Sequence, residues 1–350
     1  MPHIPIPKQF RESSRVIESQ LFLRPKRLAI FEACLIGLIS GLAGVLLKLG
    51  VGWLGSWRVA TSTLIPALIL LPAVGLLGGF LTGLLVERFA PETAGSGIPH
   101  VKAALAGVNL SLNLRVAVVK LLTTILAVGS GLTLGRQGPT VQIGASLADW
   151  IGHLMPTSPD YRRQLIACGA AAGLAAGFNA PIAGVLFVVE ELLHDVSGLT
   201  LGTAIIASFI GAVVSQLLGG DSLNLDLQEY PTSFYAQEIP FYVLLGVLAG
   251  LLGALFSKGI IASLQFNRKT LKLALPWRVA LAGLICGLVI AALPENFHNN
   301  TGLREFILTG EATGRTSLIA FIAHFFLTII SAASGAPGGL FAPSLVLGSA

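Results

Sequence analysis

The sequence predicts an all-α polytopic membrane protein, and three observations support this fold class. Hydrophobic residues make up 54% of the 350 residues and charged residues only 11%, whereas a soluble globular domain carries about 25% charged residues. Several apolar runs reach the roughly 18–20 residues that a helix needs to span a bilayer. Glycine, with 41 residues, repeatedly interrupts the apolar runs beside proline. One soluble core could not bury so many long apolar segments.

The apolar runs give the order of the predicted membrane segments. The clearest are Leu64–Val86, Val116–Leu134, Leu199–Leu218, Val243–Leu264, Val279–Leu293 and Leu318–Ala333. Leu28–Leu54 and Gln164–Val189 are also long, although Glu32 and Lys48 interrupt the first. The three cysteines are scattered through apolar segments without metal or redox spacing, which favours a packing role.

Charged residues divide the chain into four regions and predict its orientation. Residues 1–28 form a basic arm and residues 265–278 are also basic, so both are expected on the cytoplasmic side. The segment 220–239 has four acidic residues and no Lys or Arg, so it is expected to be an extracellular loop. Residues 29–219 then form a first membrane repeat and residues 240–350 a second. Basic residues in short loops set the orientation expected in the inner membrane, so the net charge of +5 does not indicate a nucleic-acid partner.

Four stretches break the apolar pattern with glycine, proline and polar residues. We call "AGSGIPHVKAAL" the first break, "GRQGPTVQIG" the second, "SGAPGGLFAPSLVLGS" the third and "AGFNAPIAGVLF", which precedes the third in the chain, the fourth. Each is typical of one helix ending and another beginning, with proline in the new first turn. Such backbone is tolerated at membrane depth only when it is buried in protein or lines a cavity. Fresh helix N-termini present free N–H groups and a positive dipole end, so an anion is the natural occupant. Kinked helices that only pack are the alternative, and close helix packing explains "GLISGLAG" and "GLLGGFLTG".

An internal repeat connects the second and third breaks. The pattern S-G-x3-G-x3-P-x4-G occurs from Ser130 to Gly144 and again from Ser334 to Gly348, with an offset of 204 residues. Thr124 and Thr328 share the same offset. Broken segments at matching places in two halves are a strong sequence indication of a transporter's central site. The two breaks are therefore predicted to build one binding site.

Three of the quoted motifs resemble the signature motifs of the CLC chloride channels and chloride/proton antiporters. They are "GSGIP" (95–99), "GRQGP" (135–139) and "GGLFAP" (338–343), in the family's order, and "FNAPIAGVLFVVEE" (178–191) is similar as well. The resemblance implies an inverted-repeat architecture with broken membrane helices, surrounded by lipid. It also implies a homodimer with one chloride pathway in each subunit, chloride as ligand, and no further cofactor, metal or enzymatic activity.

The resemblance also implies roles for individual residues. Ser96 would donate its hydroxyl to a central anion, and Glu191 would handle protons on the inner side. The buried Lys120 would give electrostatic support. The anion-binding residues that it implies are Ser96, Gly97, Ile98, Arg136, Gln137, Gly138, Leu340 and Phe341.

Ordinary structural roles are the alternatives for these residues. Glu191 could be an interfacial charge at the end of a helix, and Lys120 could extend to the membrane interface. His324 and Glu32 are interpreted as hydrogen-bonded packing residues.

Two departures from the family pattern bear on function. Gln137 stands where the family has a glutamate that gates the outer anion site and carries a proton. Glutamine cannot ionise, so chloride flux is expected to depend weakly on external pH and to drive no net proton movement. The chain also stops at Ala350, within the run that the last break opens, so the second repeat is expected to be C-terminally incomplete. A truncated fragment that does not transport is one alternative.

The same residues also bear on two other classes of function, a membrane enzyme and a transporter of organic solutes. A membrane enzyme should show a metal or nucleophile motif, but the sequence contains no H-E-x-x-H, no clustered Cys and His, and no G-x-S-x-G. A transporter of organic solutes should offer aromatic and paired charged side chains in its broken segments. The broken segments offer Ser96, Gln137, Asn179 and Phe341, which suits a small anion. Fluoride or nitrate is the alternative anion, and Ser96 in "GSGIP" favours chloride.

Overall fold

The computed structural model describes residues 26–108, 110–154, 158–193, 198–219, 235–294, 298 and 314–349, and the regular elements in this part are all helices. We number the α-helices α1 Lys26–Ser62, α2 Ala67–Phe89, α3 Ile98–Leu105, α4 Leu114–Gly129, α5 Gln137–Leu154, α6 Pro159–Phe178, α7 Pro181–Phe187, α8 Gly198–Gly219, α9 Ile239–Phe266, α10 Leu275–Ala292, α11 Gly314–Ser334 and α12 Phe341–Ser349. The all-α prediction is confirmed. Most of the predicted basic arm and acidic loop lies outside the described residues.

Six of the described helices are long and apolar enough to cross a membrane. They are Arg27–Ser62, Ala67–Phe89, Thr200–Gly219, Ala236–Leu271, Leu275–Ala292 and Ser317–Ser334. The prediction of a full span over Val116–Leu134 is wrong. Helix α4 has 16 residues, and the chain turns after it because Gly131 adopts a φ of +111°. The run Gln164–Val189 is divided, as its motif predicts, by Asn179 in the left-handed conformation.

The interface between α2 and α10 shows that the two halves are inverted copies. Gly75 approaches Gly283, and Gly79 approaches Val279, so residue numbers rise along α2 as they fall along α10. Adding 204 to Gly79 gives Gly283, and adding 204 to Gly75 gives Val279. Each contact is therefore the repeat image of the other, which places a two-fold pseudo-axis through this antiparallel interface.

The helix boundaries follow the same offset. Helix α5 begins at Gln137 and α12 begins at Phe341, which are 204 residues apart. Helices α4 and α11 precede these starts in their respective halves, and both end at a serine or its neighbouring glycine. The repeat seen in the sequence is thus a repeat of helix, break and new helix.

Candidate functional site

The two repeat-related breaks meet directly. The Gly135 N–H donates to the Gly339 carbonyl at 2.7 Å, and the Gly339 N–H donates to the Gly135 carbonyl at 2.6 Å. These two glycines are the third members of the repeated pattern and differ by 204 residues. A reciprocal pair of this kind is what a two-fold pseudo-axis produces where it passes between equivalent residues. The sequence prediction that the two breaks come together is confirmed at the level of the backbone.

The first break joins the same cluster. The Gly95 N–H donates to the Gly335 carbonyl at 3.2 Å, and the Gly338 N–H donates to the Gly95 carbonyl at 3.1 Å. Gly138 lies against this break, since a Cβ placed on Gly138 would come within 3.0 Å of the Ser96 carbonyl oxygen and 3.2 Å of the Gly339 Cα. The glycines of all three motifs therefore let three backbone segments touch.

The helix starts at this cluster keep backbone donors available. The N–H groups of Gln137, Gly138, Leu340 and Phe341 have no hydrogen-bond acceptor among the described residues. Helix α3 adds a third start, which Gly97 opens with a φ of +89°. Convergent helix N-termini stabilise negative charge through their N–H groups and dipoles without a cationic ligand. The arrangement can therefore hold a small anion.

The fourth break lies beside the same cluster. Phe178, at the end of α6, meets Phe341, at the start of α12, edge to face with ring centroids 4.5 Å apart. The Phe341 ring is nevertheless 57% exposed. Helix α7 then starts with Pro181, as the motif predicts, but it has only seven residues. The fourth break thus adds an aromatic contact to the helix start of the third break.

Lys120 is buried and anchors the first break. Its side chain is fully inaccessible, and Nζ donates to the carbonyls of Thr93 at 2.8 Å and Gly95 at 2.7 Å. The alternative in which Lys120 extends to the membrane interface is wrong. Gly95 also hydrogen-bonds the third break. The carbonyl that accepts from Lys120 therefore belongs to the residue before Ser96, and it is bonded directly to the second half.

Gln137 lines a cavity of about 110 Å³ at the second and third breaks. Its side chain is 4% exposed and folds back towards Gly135, and its Oε1 atom is buried without a hydrogen-bond partner in the described part of the chain. The cavity walls come from α1, α4, α11, α12 and the second break, and they contain Val51, Val128, Thr133, Leu134, Gly135, Arg136, Gln137, His324, Ala342, Pro343 and Val346. The predicted outer-site residues Arg136 and Gln137 thus both line this partly open cavity.

Glu191 lies away from this cavity, in a π-helical segment that continues α7 over Val188–Leu193. Its carboxylate forms an ion pair with the Lys102 ammonium at 2.7 Å, and both side chains are roughly half exposed. Lys102 belongs to α3, so the pair connects the helix that begins at Ile98 with the segment after the fourth break. Its exposure fits a group that exchanges protons with water.

Two buried side chains near the site, Arg58 and His324, differ from what the sequence predicts. Arg58 is 2% exposed, and its guanidinium donates to the carbonyls of Ser130 at 3.3 Å and His298 at 3.0 Å. No sequence motif marks Arg58. His324 was assigned to hydrogen-bonded packing, but its Nδ1 atom is buried without a partner among the described residues. The 204-residue offset could have singled it out, because His324 is the repeat equivalent of Lys120. Glu32 fits its packing interpretation, since it is buried and accepts a hydrogen bond from the Tyr161 hydroxyl.

Fold and site together define a polytopic helical membrane protein with inverted repeats and a central cluster of helix N-termini. Residues 78–350 match the family model described as voltage gated chloride channel. The chain is 33% identical over 332 residues to the H(+)/Cl(-) exchange transporter ClcA of Vibrio cholerae, and the match covers 91% of this chain and 70% of that protein. The ClcA protein of Salmonella agona is 32% identical over 338 residues, with the same coverage. The chain therefore belongs to the CLC, or voltage gated chloride channel, family.

Solved structures agree with this assignment. A slow cyanobacterial Cl-/H+ antiporter superimposes with a TM-score of 0.83 at 30% identity, covering 93% of this chain and 77% of that one. A CLC-type fluoride/proton antiporter superimposes with a TM-score of 0.76 at 21% identity over 92% of this chain and 80% of that one, which is a likeness of fold.

Proposed function

We propose that this protein transports chloride across a membrane through a pathway built on the three converging helix starts. The observation that carries the proposal is the reciprocal hydrogen-bond pair between Gly135 and Gly339, which joins two helix starts from opposite halves at one point. The named function of the relatives supports it, because they are H(+)/Cl(-) exchange transporters. Transport, rather than an enzymatic reaction, is the activity for which the site is suited.

Chloride is the preferred anion in this proposal, and fluoride is the alternative to be tested against it. Ser96 begins the first helix start with a hydroxyl, which can donate to an anion beside the Gly138 backbone. In this proposal the anion is bound by the Ser96 hydroxyl and by backbone N–H groups at 97–98, 136–138 and 340–341. Lys120 holds the Ser96 segment in place and adds a positive charge next to it.

The direct test is anion flux from liposomes that contain the purified chain. Vesicles are loaded with chloride, fluoride or nitrate, and efflux is followed with an ion-selective electrode. We expect chloride efflux well above that of protein-free vesicles and above that of fluoride. Fluoride efflux that exceeds chloride efflux would favour the alternative anion, and the absence of any protein-dependent efflux would contradict the proposal.

A variant at Ser96 tests the site itself. A hydrogen bond to a charged group contributes about 1.5–3 kcal/mol, so Ser96→Ala should weaken chloride binding by about tenfold or more in calorimetry. Ser62→Ala is the matched control, because the Ser62 hydroxyl bonds its own helix at the Val59 carbonyl, away from the three breaks. Equal chloride affinities in the two variants would remove Ser96 from the pathway.

Orientation and assembly complete the proposal. The protein is placed in the inner membrane with its basic N-terminus in the cytoplasm, as the distribution of Lys and Arg indicates. It is expected to form a homodimer with one pathway in each subunit. A fluorescent reporter fused to the N-terminus tests the first statement, and mass measurement in detergent tests the second.

A further inference from the structure

His324 occupies a position that the repeat makes comparable with Lys120. The two residues are 204 apart, and they lie on α4 and α11, the helices that precede the second and third breaks. In the first half, Lys120 is a cation fixed by two backbone carbonyls. In the second half, the equivalent side chain is a titratable ring that borders the cavity at Gln137. The two halves thus carry different basic groups at this position, an amine in the first and an imidazole in the second.

One ring nitrogen of His324 is buried without a hydrogen-bond partner among the described residues. The residue is 6% exposed, and Nδ1 has no hydrogen-bond partner in the described part of the chain. Buried polar atoms in proteins are almost always paired with protein or ordered water, so His324 Nδ1 indicates a partner such as a water or a ligand. Gln137 Oε1 is a second unpaired polar atom, and it borders the same cavity. At about 110 Å³ the cavity is well above the roughly 10–15 Å³ that one water requires.

The charges around the cavity favour a negative occupant. None of the residues that line it is acidic, and Arg136 adds a basic side chain to its wall. The titratable and charged residues with described side chains on the elements that line the cavity or pack on α11 are Arg136 in the second break, Arg27, Glu32, Cys34, Lys48 and Arg58 on α1, Arg115 and Lys120 on α4, Asp149 and His153 on α5, Tyr242 and Lys258 on α9 with Glu238 at its start, and Arg278 and Cys286 on α10, while α12 has none. Each carboxylate among them has a partner elsewhere: Glu32 accepts from the Tyr161 hydroxyl, Asp149 pairs with Arg162, and Glu238 accepts from the Tyr242 hydroxyl.

We infer that His324 is an anion ligand in the cavity at Gln137 and that it binds a halide more tightly when its ring is protonated. The inference rests on the proposed anion transport and adds a residue and a pH dependence to it. A protonated imidazole donates from both nitrogens, and charge-assisted hydrogen bonds are about twice as strong as neutral ones. By thermodynamic reciprocity, an anion that favours the protonated ring is itself favoured by protonation. This pH dependence differs from the weak pH dependence that Gln137 alone predicts for the flux.

The test measures halide affinity of the purified full chain as a function of pH. Chloride and bromide titrations at pH 5, 6.5 and 8 should show affinity that falls by about tenfold as the pH rises. His324→Gln should bind with a low affinity that is nearly independent of pH. His324→Arg, whose guanidinium stays protonated throughout this range, should bind with high affinity at all three pH values.

The control is the same substitution at a histidine outside the cavity. His153 lies at the end of α5, about half exposed, beside Asp149, and His153→Gln should keep the full pH dependence. Equal pH profiles for His324→Gln and His153→Gln would overturn the inference, and so would a flat profile in the unmodified chain. If His324→Gln fails to fold, the profile of His324→Arg still decides, because arginine does not titrate in this range and a persisting tenfold change would place the titrating group elsewhere. Absence of any halide binding at every pH would instead contradict the proposed function.

Discussion

Lys120 shows at the scale of one residue how this fold holds a break inside a membrane. Irregular backbone has carbonyls that no helix satisfies, and lipid offers them no donors. The Lys120 ammonium supplies donors to two of them, at Thr93 and Gly95, while placing its charge beside Ser96. One side chain thus meets a structural requirement of the break, and in the proposed function it would also support an anion site.

Replacing Lys120 should therefore lower both stability and anion affinity. Lys120→Met removes the donor but keeps a long side chain, and unsatisfied buried groups cost about 1–3 kcal/mol each. We expect a lower thermal unfolding midpoint and weaker chloride binding. Lys258→Met is the control, because Lys258 is exposed on α9, and it should change neither quantity. A Lys120→Met protein that matches this control would show that the two carbonyls do not depend on the ammonium.

At this scale the sequence identifies the important residues better than it predicts their contacts. Lys120 stood out because a charge in an apolar run is expensive, but its carbonyl partners depend on the fold of residues 93–95. Arg58 gave no such signal, since it lies near the end of an apolar helix, where Arg is ordinary. His324 was assigned to packing because its neighbours in sequence are apolar. Only its equivalence to Lys120 across the repeat points to the cavity.

At the scale of elements, the α2–α10 interface depends on backbone contact without side chains between the helices. A Cβ on Gly75 would overlap the Gly283 carbonyl, and a Cβ on Gly283 would overlap the Gly75 carbonyl. Small residues at membrane helix interfaces allow this approach, and packing then supplies the stability that the hydrophobic effect does not supply in lipid. The two helices can approach this closely only while both positions remain glycine.

A single methyl group should therefore separate these helices. Gly75→Ala or Gly283→Ala should destabilise the protein by about 1–3 kcal/mol, the usual cost of overpacking. The measurement is the unfolding midpoint in detergent, with Gly250→Ala on α9 as control, because nothing lies within 4 Å of a Cβ there. Because α2 and α10 carry the pseudo-axis, flux should fall with stability. A Gly75→Ala midpoint equal to that of the control would mean that the interface relaxes without loss.

The positions of the helices were largely predictable from the sequence, but which helices pack against each other was not. Glycine and proline chemistry correctly predicted new helices at Ile98, Pro181 and the 204-related pair Gln137 and Phe341. The stretch "GLLGGFLTG" was correctly assigned to close packing, but nothing local indicates that α10 is the helix it meets. The run Val116–Leu134 was overestimated because hydropathy does not register that Gly131 turns the chain.

At the scale of the whole molecule, Gln137 predicts how anion and proton movements are related. Gln137 begins α5 at the point where Gly135 meets the second half, so a charge there would compete with any anion for the free N–H groups. Its amide is neutral at all accessible pH values. An outward chloride gradient across liposomes should therefore drive no net proton movement, as followed with a pH-sensitive dye inside. Uphill proton movement by the unmodified chain would show that the proton route needs no carboxylate at residue 137.

The substitution Gln137→Glu tests the same idea in the opposite direction. A carboxylate at this position can occupy the helix start when ionised and leave it when protonated, so anion entry and proton binding become alternatives at one site. Glu191 can then receive or supply the proton on the other side, where its half-exposed pair with Lys102 gives access to water. We expect Gln137→Glu to show chloride-driven proton movement and Gln137→Asn to show none. The double variant Gln137→Glu with Glu191→Gln should keep chloride flux but lose the proton movement. If it retains that movement, Glu191 is not the inner proton group and the ion pair with Lys102 is only a connection between α3 and the segment after α7.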